Sequence, residues 1–258
     1  MYEHLAPVYD YFVNWKSRLA YELPFLKNEF SRLSDNPHEL KVLDAACGTG
    51  RHAIALATEG FEMSGADLYP EMVSQAQANA FAADQNLNLK TVGFGNMSKA
   101  FNGDQFDAVL CLGNSLPHVQ SQKELSQTLA DFAALVKPGG IMILQSRNFD
   151  RVVKNKLRWM DPQAVDESTK HYVFFRFYDF LPNGLIQFNI LTLSRGVSQD
   201  WQTELDTTLL YPTLSEQLLE EITKVGFEEV RFYGNMAGDC FDPESSSDLV
   251  VVATKGMA

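Results

Sequence analysis

A regular alternation of short apolar runs with helix-like segments constrains the fold of this chain more than any other feature. Buried-strand patterns occur at 41–46, 61–66, 89–94, 106–112 and 141–145. Helical segments lie between them, as the apolar spacing from Leu125 to Val136 illustrates. Strands that alternate with helices predict right-handed βαβ units. With two further strand patterns near Val230 and at 249–252, the sequence predicts an α/β fold with a doubly wound, mostly parallel seven-stranded sheet.

The pattern changes after Asp150. The aromatic-rich run 171–180, the turn signal at 182–184 and the run 185–193 predict an antiparallel hairpin. We therefore divide the chain into an N-terminal helical cap (1–40), a ligand-binding core (41–150), an inserted antiparallel β subdomain (151–205) and a C-terminal completion of the sheet (206–258).

Local signals predict where several helices begin and end. Pro24 and Pro37 indicate breaks in the N-terminal helices, and the segment 138–140 indicates the end of a later one. The segment Thr213-Leu-Ser-Glu216 has the pattern of a capping box, and Gly226 would close the helix that follows it.

Charge and cysteine content exclude several classes of protein. The chain of 258 residues carries a formal net charge of −12, which disfavours nucleic acid as a partner because phosphates repel a negative surface. Its three cysteines form no C-x-x-C pair, so we expect reduced thiols and a cytoplasmic location. No apolar run approaches the length of a membrane span, and no signal peptide is predicted. The sequence leaves a homo-oligomer open.

The loop after the first strand, Asp44-Ala-Ala-Cys-Gly-Thr-Gly50, is the strongest candidate ligand site. Its glycines allow a sharp turn and close approach of a ligand. The spacing also fits the G-x-G-x-x-G/A pattern of dinucleotide sites, but Asp44 would face the pyrophosphate. S-adenosylmethionine has no phosphate and carries an ammonium group that an acid suits. A glycine turn without any ligand is the third interpretation.

Two further loops supply polar groups at the same predicted sheet edge. Asp67 follows the second strand and can accept hydrogen bonds from both ribose hydroxyls of an adenosine, or can simply stabilise a helix N-terminus. After the third strand, Asn96 can bond the adenine edge and Met97 can pack on its face. Equally, Asn96 can be an ordinary turn residue and Met97 can fill a gap in the apolar core.

Three segments resemble a known family. Val42-Leu-Asp-Ala-Ala-Cys-Gly-Thr-Gly50 resembles the first motif of class I S-adenosylmethionine-dependent methyltransferases. The segments 106–118 and 139–150 are similar to those of glycine/sarcosine N-methyltransferases, which carry Arg-Asn-Tyr-Asp where this chain has Arg147-Asn-Phe-Asp150. The resemblance implies a Rossmann-like methyltransferase that uses S-adenosylmethionine as methyl donor and a small-molecule amine as acceptor.

Site residues follow from this resemblance. The donor-binding residues that it implies are Tyr9, Arg18, Asp44, Ala46, Gly48, Gly50, Asp67, Asn96, Met97, Leu112 and His118. On the acceptor side it implies Asn114, Arg147 and Tyr211, with Arg147 holding a substrate carboxylate.

Other interpretations remain open from the sequence alone. Arg147 can instead form an internal ion pair, with Asp150 or Asp179 as candidate partners, and His118 can be a packed or capping residue. The aromatic run at 172–180 is typical of a core strand. No histidine spacing or nucleophile motif indicates a metal or covalent catalysis. A nicotinamide-dependent oxidoreductase and a non-catalytic regulator that binds S-adenosylmethionine are the competing functions.

Overall fold

The computed structural model describes residues 10–11, 13–197 and 199–257, and these residues form two β-sheets. The strands in chain order are β1 (Lys41–Asp44), β2 (Glu62–Asp67), β3 (Asn88–Thr91), β4 (Phe106–Cys111), β5 (Val136–Arg147), β6 (Gln163–Asp166), β7 (Lys170–Phe180), β8 (Ile186–Gly196), β9 (Gln202–Leu210), β10 (Phe227–Tyr233) and β11 (Asp248–Lys255). The helices are α1 (Trp15–Phe30), α2 (Arg51–Thr58), α3 (Pro70–Ala82), α4 (Met97–Ala100), α5 (Gln122–Leu135), α6 (Phe149–Asn155) and α7 (Ser215–Lys224).

The larger sheet has seven strands in the order β10-β11-β5-β4-β1-β2-β3. The pairs among β1 to β5 are parallel, whereas β11 pairs antiparallel with both β5 and β10. Helices cover both faces: α5 and α7 contribute to one apolar core layer, and α1 and α2 contribute to the other. This confirms the predicted doubly wound, mostly parallel sheet.

The smaller sheet has the order β6-β7-β8-β9 and is antiparallel throughout. One of its faces packs with α6 into a third apolar cluster. The predicted hairpin corresponds to β7 and β8, with β6 and β9 added at its sides. Strand β9 runs to Leu210, beyond the boundary expected at 205.

The helix break predicted at Pro24 is absent because tertiary packing overrides the local signal. Pro24 lies inside α1, where the burial of Phe25, Leu26 and Phe30 holds the helix together despite the missing N–H. Helix α5 ends at Leu135, close to the segment 138–140 that indicated its end, and β5 begins directly at Val136 and continues through that segment.

The predicted capping box does not form. The Oγ1 atom of Thr213 is buried without a hydrogen-bond partner, and Leu214 occupies the N-cap of α7. The N–H of Ser215 instead donates to Asp150 Oδ2 at 3.0 Å. An acid 65 positions away in sequence therefore satisfies the start of the helix.

No helix within the described ranges is long and apolar enough to cross a membrane.

Candidate active site

A cavity of about 550 Å³ opens at the carboxyl ends of the parallel strands. Its walls come from the loops after β1, β3 and β4 and from the end of β2. The predicted site residues that line it are Ala46, Gly48, Asp67, Asn96, Met97 and His118. Because an open α/β sheet binds ligands at this edge, the cavity is the candidate active site.

The glycine loop after β1 forms the floor of the cavity. Gly48 has a φ of 52° and Gly50 a φ of 80°, both in the region that favours glycine. A Cβ atom on Gly50 would lie 3.0 Å from the Cβ of Ala76, so the loop also needs glycine to let α2 approach α3. Gly50 itself is not part of the cavity wall in the described structure.

Asp67 ties two backbone segments together beneath the cavity. Its Oδ2 accepts from the N–H of Gly48 at 2.9 Å, and its Oδ1 accepts from the N–H of Tyr69 at 3.0 Å. Burial raises the pKa of the Asp67 carboxyl, although these backbone hydrogen bonds oppose the shift. Each carboxylate oxygen retains a lone pair that can accept from a ligand hydroxyl.

Asp44 lies below the wall rather than on it. Its side chain is buried, and its Oδ1 accepts from the N–H of Ala46 at 3.4 Å. Burial raises the pKa of Asp44 to about 6, and the negative charge of Asp67 acts in the same direction. The charges of His52 and Arg18 oppose the shift.

A buried acid that the sequence analysis missed fixes the loop after β3. Asp131 on α5 accepts from the N–H groups of Met97 at 2.7 Å and Ser98 at 3.0 Å, which caps α4. Met97 belongs to the apolar core, and its side chain is fully buried. The available signal was a charge at helical spacing from Thr128 and Leu135, on the buried face of α5.

The loop after β4 contributes one neutral imidazole. Burial lowers the pKa of His118 to about 4, so its ring is uncharged near pH 7. Leu112 is buried in the core and is not part of the cavity wall. Its carbonyl accepts from the hydroxyl of Ser115 at 2.8 Å, which stabilises the turn.

The N-terminal segment contacts this site through charged groups. An added Cβ on Gly113, which lines the cavity, would lie 3.3 Å from Nη2 of Arg18. Arg18 also pairs with Glu22 at 2.9 Å. The Glu22 carboxylate lies 2.5 Å from Nε2 of His52 on α2, and both side chains are buried. Tyr9 lies outside the described residues.

Asp10 was also missed by the sequence analysis. Its carboxylate accepts from the hydroxyl of Thr49 at 2.7 Å and the indole N–H of Trp15 at 2.8 Å, and it pairs with Arg51. These contacts attach the N-terminal segment to the glycine loop. An acid near a chain end, far in sequence from its partners, gives no local signal.

The three residues predicted on the acceptor side lie outside the cavity wall, and two of them are joined. Asn114 has a φ of 64°, and its Oδ1 accepts from the backbone N–H of Arg147 at 3.0 Å. Tyr211 lies apart from this pair: its hydroxyl accepts from Gln217 at 2.7 Å, and its N–H donates to the carbonyl of Pro117 at 2.7 Å.

The ion-pair partners considered for Arg147 were wrong. Asp150 caps α7, and Asp179 pairs with Arg158 at 2.6 Å. Arg147 Nη1 lies 3.7 Å from Asp248 Oδ1 on the adjacent strand, and the arginine side chain is 45% exposed. Such a long, partly solvated contact leaves the guanidinium fork available for a ligand.

Comparison with known proteins decides the family. A model described as a methyltransferase domain matches residues 42–140. The chain is 30% identical over 256 residues to a glycine/sarcosine N-methyltransferase of Parasynechococcus marenigrum (strain WH8102), covering 94% of this chain and 80% of the relative. The chain belongs to the S-adenosylmethionine-dependent methyltransferases. A glycine/sarcosine N-methyltransferase of Aphanothece halophytica is 28% identical over 245 residues, which cover 90% of this chain and 82% of the relative.

Solved structures agree on the fold. An S-adenosylmethionine-dependent methyltransferase from Clostridium acetobutylicum ATCC 824 superposes with a TM-score of 0.77 at 16% identity, over 99% of each chain. This methyltransferase is therefore an enzyme that uses S-adenosylmethionine, and the oxidoreductase and regulator hypotheses are wrong.

Proposed function

We propose that this methyltransferase transfers a methyl group to the amine nitrogen of a small carboxylated amine. Arg147 carries the proposal, because it presents a partly solvated guanidinium at the carboxyl end of β5 with only a 3.7 Å contact to Asp248. A guanidinium fork matches a carboxylate in two parallel hydrogen bonds. Asn114 fixes the backbone from which this side chain extends. The relatives named above act on glycine and sarcosine, which are carboxylated amines.

On the donor side, we assign the cavity residues to parts of S-adenosylmethionine. Asp67 would accept hydrogen bonds from the ribose hydroxyls, and the loop containing Asn96 would border adenine. Arg18, beside Gly113, would pair with the donor carboxylate. S-adenosylmethionine supplies an electrophilic methyl group on a sulfonium cation. A neutral His118 suits a cationic sulfonium in the cavity because it adds no positive charge to the cavity wall.

The protein's own contribution is then to bind, orient and desolvate. Holding two reactants in a productive orientation can contribute roughly 7–11 kcal/mol to lowering a barrier. Arg147 would orient the acceptor by its carboxylate, and the N-terminal segment attached through Asp10 and Glu22 would limit access of water.

An acceptor panel tests the proposal. Purified protein with methyl-labelled donor should methylate glycine or sarcosine, but not glycinamide or methylamine, which lack the carboxylate. Acetate keeps the carboxylate but lacks the amine, so it is the matched control for the amine and should not be methylated. Equal turnover of glycine and glycinamide would contradict a carboxylate-recognising site.

Donor affinity should depend on pH through Asp44. Because burial raises the pKa of Asp44 to about 6, the folded protein holds this proton more tightly than the unfolded chain does. Below about pH 6 the carboxyl becomes neutral and loses its attraction for the cationic donor, so affinity should fall as pH falls. The raised pKa of Asp67 acts with the same sign.

Calorimetric titration of the donor from about pH 5 to about pH 8, a range that spans the pKa of Asp44, checks this expectation. Asp44→Asn should flatten the Asp44 part of the profile. It should also raise the melting temperature at about pH 8, where the wild-type carboxylate is ionised and buried. A variant with the same pH profile as the wild type would show that Asp44 is not the titrating group.

A further inference from the structure

The face of the small sheet that packs with α6, here called the inner face, carries several buried polar atoms that have no hydrogen-bond partner among the described residues. Thr192 on β8 and Asp206 on β9 are each 7% exposed. Within the described residues, Thr192 Oγ1 and Asp206 Oδ2 have no hydrogen-bond partner. A core strand normally satisfies such groups, so their presence on one face points to a ligand that is recognised there.

The two groups are neighbours. Thr192 lies opposite Glu204, and Asp206 lies opposite Ile190, so Thr192 and Asp206 are diagonal neighbours on adjacent strands. Diagonal neighbours on one face lie about 7–8 Å apart, within reach of one small ligand. No residue in the described part of the chain forms an ion pair with Asp206. A buried carboxylate is costly unless a donor or a cation meets it.

The inner face borders the candidate active site. Thr208, the next inner-face residue of β9, lines the cavity. Tyr178 lies in the same row across the sheet, opposite Phe188. The ring centroid of Tyr178 lies 6.2 Å from that of Phe149, which is two residues after Arg147. Burial raises the pKa of Tyr178 to about 12, and the positive charges of Arg147 and Arg176 oppose this shift.

The next row of the inner face has opposite charges at its two ends. Arg176 and Asp206 both lie opposite Ile190, on the strands to either side of β8. Two strand spacings separate them by about 10 Å. A positive group on the Arg147 side and a negative group on the β9 side fit a molecule that carries a carboxylate at one end and an amine at the other.

We propose that Asp206 and Thr192 form the amine-recognising half of the acceptor site. The carboxylate of Asp206 and the hydroxyl of Thr192 accept hydrogen bonds from the N–H groups of the acceptor, while its carboxylate lies towards Arg147. This inference rests on the proposed function and assigns its substrate specificity to a second pair of residues. The two hydrogen-bond acceptors together favour an amine, which offers at least two N–H donors, over a hydroxyl group, which offers one, and over carboxylates without nitrogen.

Three variants test this assignment. Asp206→Asn and Thr192→Val each remove one hydrogen-bond acceptor atom. Glu204→Gln is the matched control, because Glu204 is an exposed acid on the same face of β9 as Asp206. Asp206→Asn should raise the KM for the carboxylated amine by about tenfold or more, with the donor Kd unchanged. Thr192→Val should act in the same direction with a smaller factor, and Glu204→Gln should match the wild type.

Melting temperature separates recognition from a structural role. Since Oδ2 of Asp206 is buried and has no hydrogen-bond partner among the described residues, Asp206→Asn should leave the melting temperature of the ligand-free protein unchanged or higher. A lower melting temperature with an unchanged KM would overturn the proposal, as would a wild-type KM in a stable variant.

Fragment binding keeps this test independent of the proposed function. Ethylamine and propionate are titrated into the protein in the presence of S-adenosylhomocysteine and followed by saturation-transfer NMR. Asp206→Asn should abolish the ethylamine signal and leave the propionate signal unchanged. Equal ethylamine signals in wild type and variant would overturn the assignment, whereas failure of the wild type to methylate any carboxylated amine would count against the proposed function alone.

Discussion

Replacing Asp67 by alanine is expected to weaken donor binding by roughly tenfold to a hundredfold or more, the largest effect of any substitution on the donor side. The proposed ribose contacts are charge-assisted hydrogen bonds, each worth about 1.5–3 kcal/mol. The same change removes the acceptor for the N–H of Gly48, so the glycine loop also loses its anchor.

Calorimetry with S-adenosylmethionine and S-adenosylhomocysteine measures this effect. Asp67→Asn keeps the shape and one acceptor oxygen and should show an intermediate loss. Glu71→Ala, at an exposed acid in the first turn of the following helix, is the control and should bind like the wild type. Wild-type affinity in Asp67→Ala would remove this residue from the donor site.

Replacing Arg147 should weaken binding of the methyl acceptor without weakening binding of the methyl donor. Arg147→Ala is expected to raise the acceptor KM by roughly tenfold to a hundredfold, because a carboxylate loses its bidentate partner. Arg147→Lys should recover part of the loss, since lysine keeps the charge but not the planar fork. Donor Kd and melting temperature should stay close to the wild type, because the arginine is partly exposed and its contact to Asp248 is long.

Asp248→Asn separates the two possible roles of Arg147, substrate binding and a structural ion pair. It weakens the internal contact at 3.7 Å but leaves the guanidinium in place. If Arg147 binds substrate, Asp248→Asn should retain acceptor use that Arg147→Ala loses. Equal losses in both variants, together with lower melting temperatures, would show that the ion pair is structural.

The parts of the fold that sequence predicts well are those whose signals are local. The parallel strands β1, β4 and β5 contain short apolar runs, and the glycine loop requires positive φ at Gly48 and Gly50, so residue type alone reveals both. Their meeting point at the sheet edge then follows from topology, which is why Asp67 and Asn96 could be expected beside the same cavity.

The parts that sequence could not predict depend on partners distant along the chain. Asp131 caps a helix that begins 34 positions before it, and Asp150 caps one 65 positions after it. Pro24 is tolerated because its helix buries apolar side chains against the rest of the protein, and local helix propensity does not encode that burial. Asp206 illustrates the same limit, since an acid in a polar stretch of a strand shows its burial only once the sheet is assembled.

Isotope labelling follows the methyl group to the atom that receives it. Donor labelled with ¹³C on the methyl is incubated with the protein and ¹⁵N-glycine, and the product is examined by NMR. If glycine nitrogen receives the methyl group, the methyl carbon is directly coupled to nitrogen, and one S-adenosylhomocysteine is released per methyl transferred. A labelled methyl that appears on oxygen, or donor hydrolysis without any methylated amine, would contradict the proposed function.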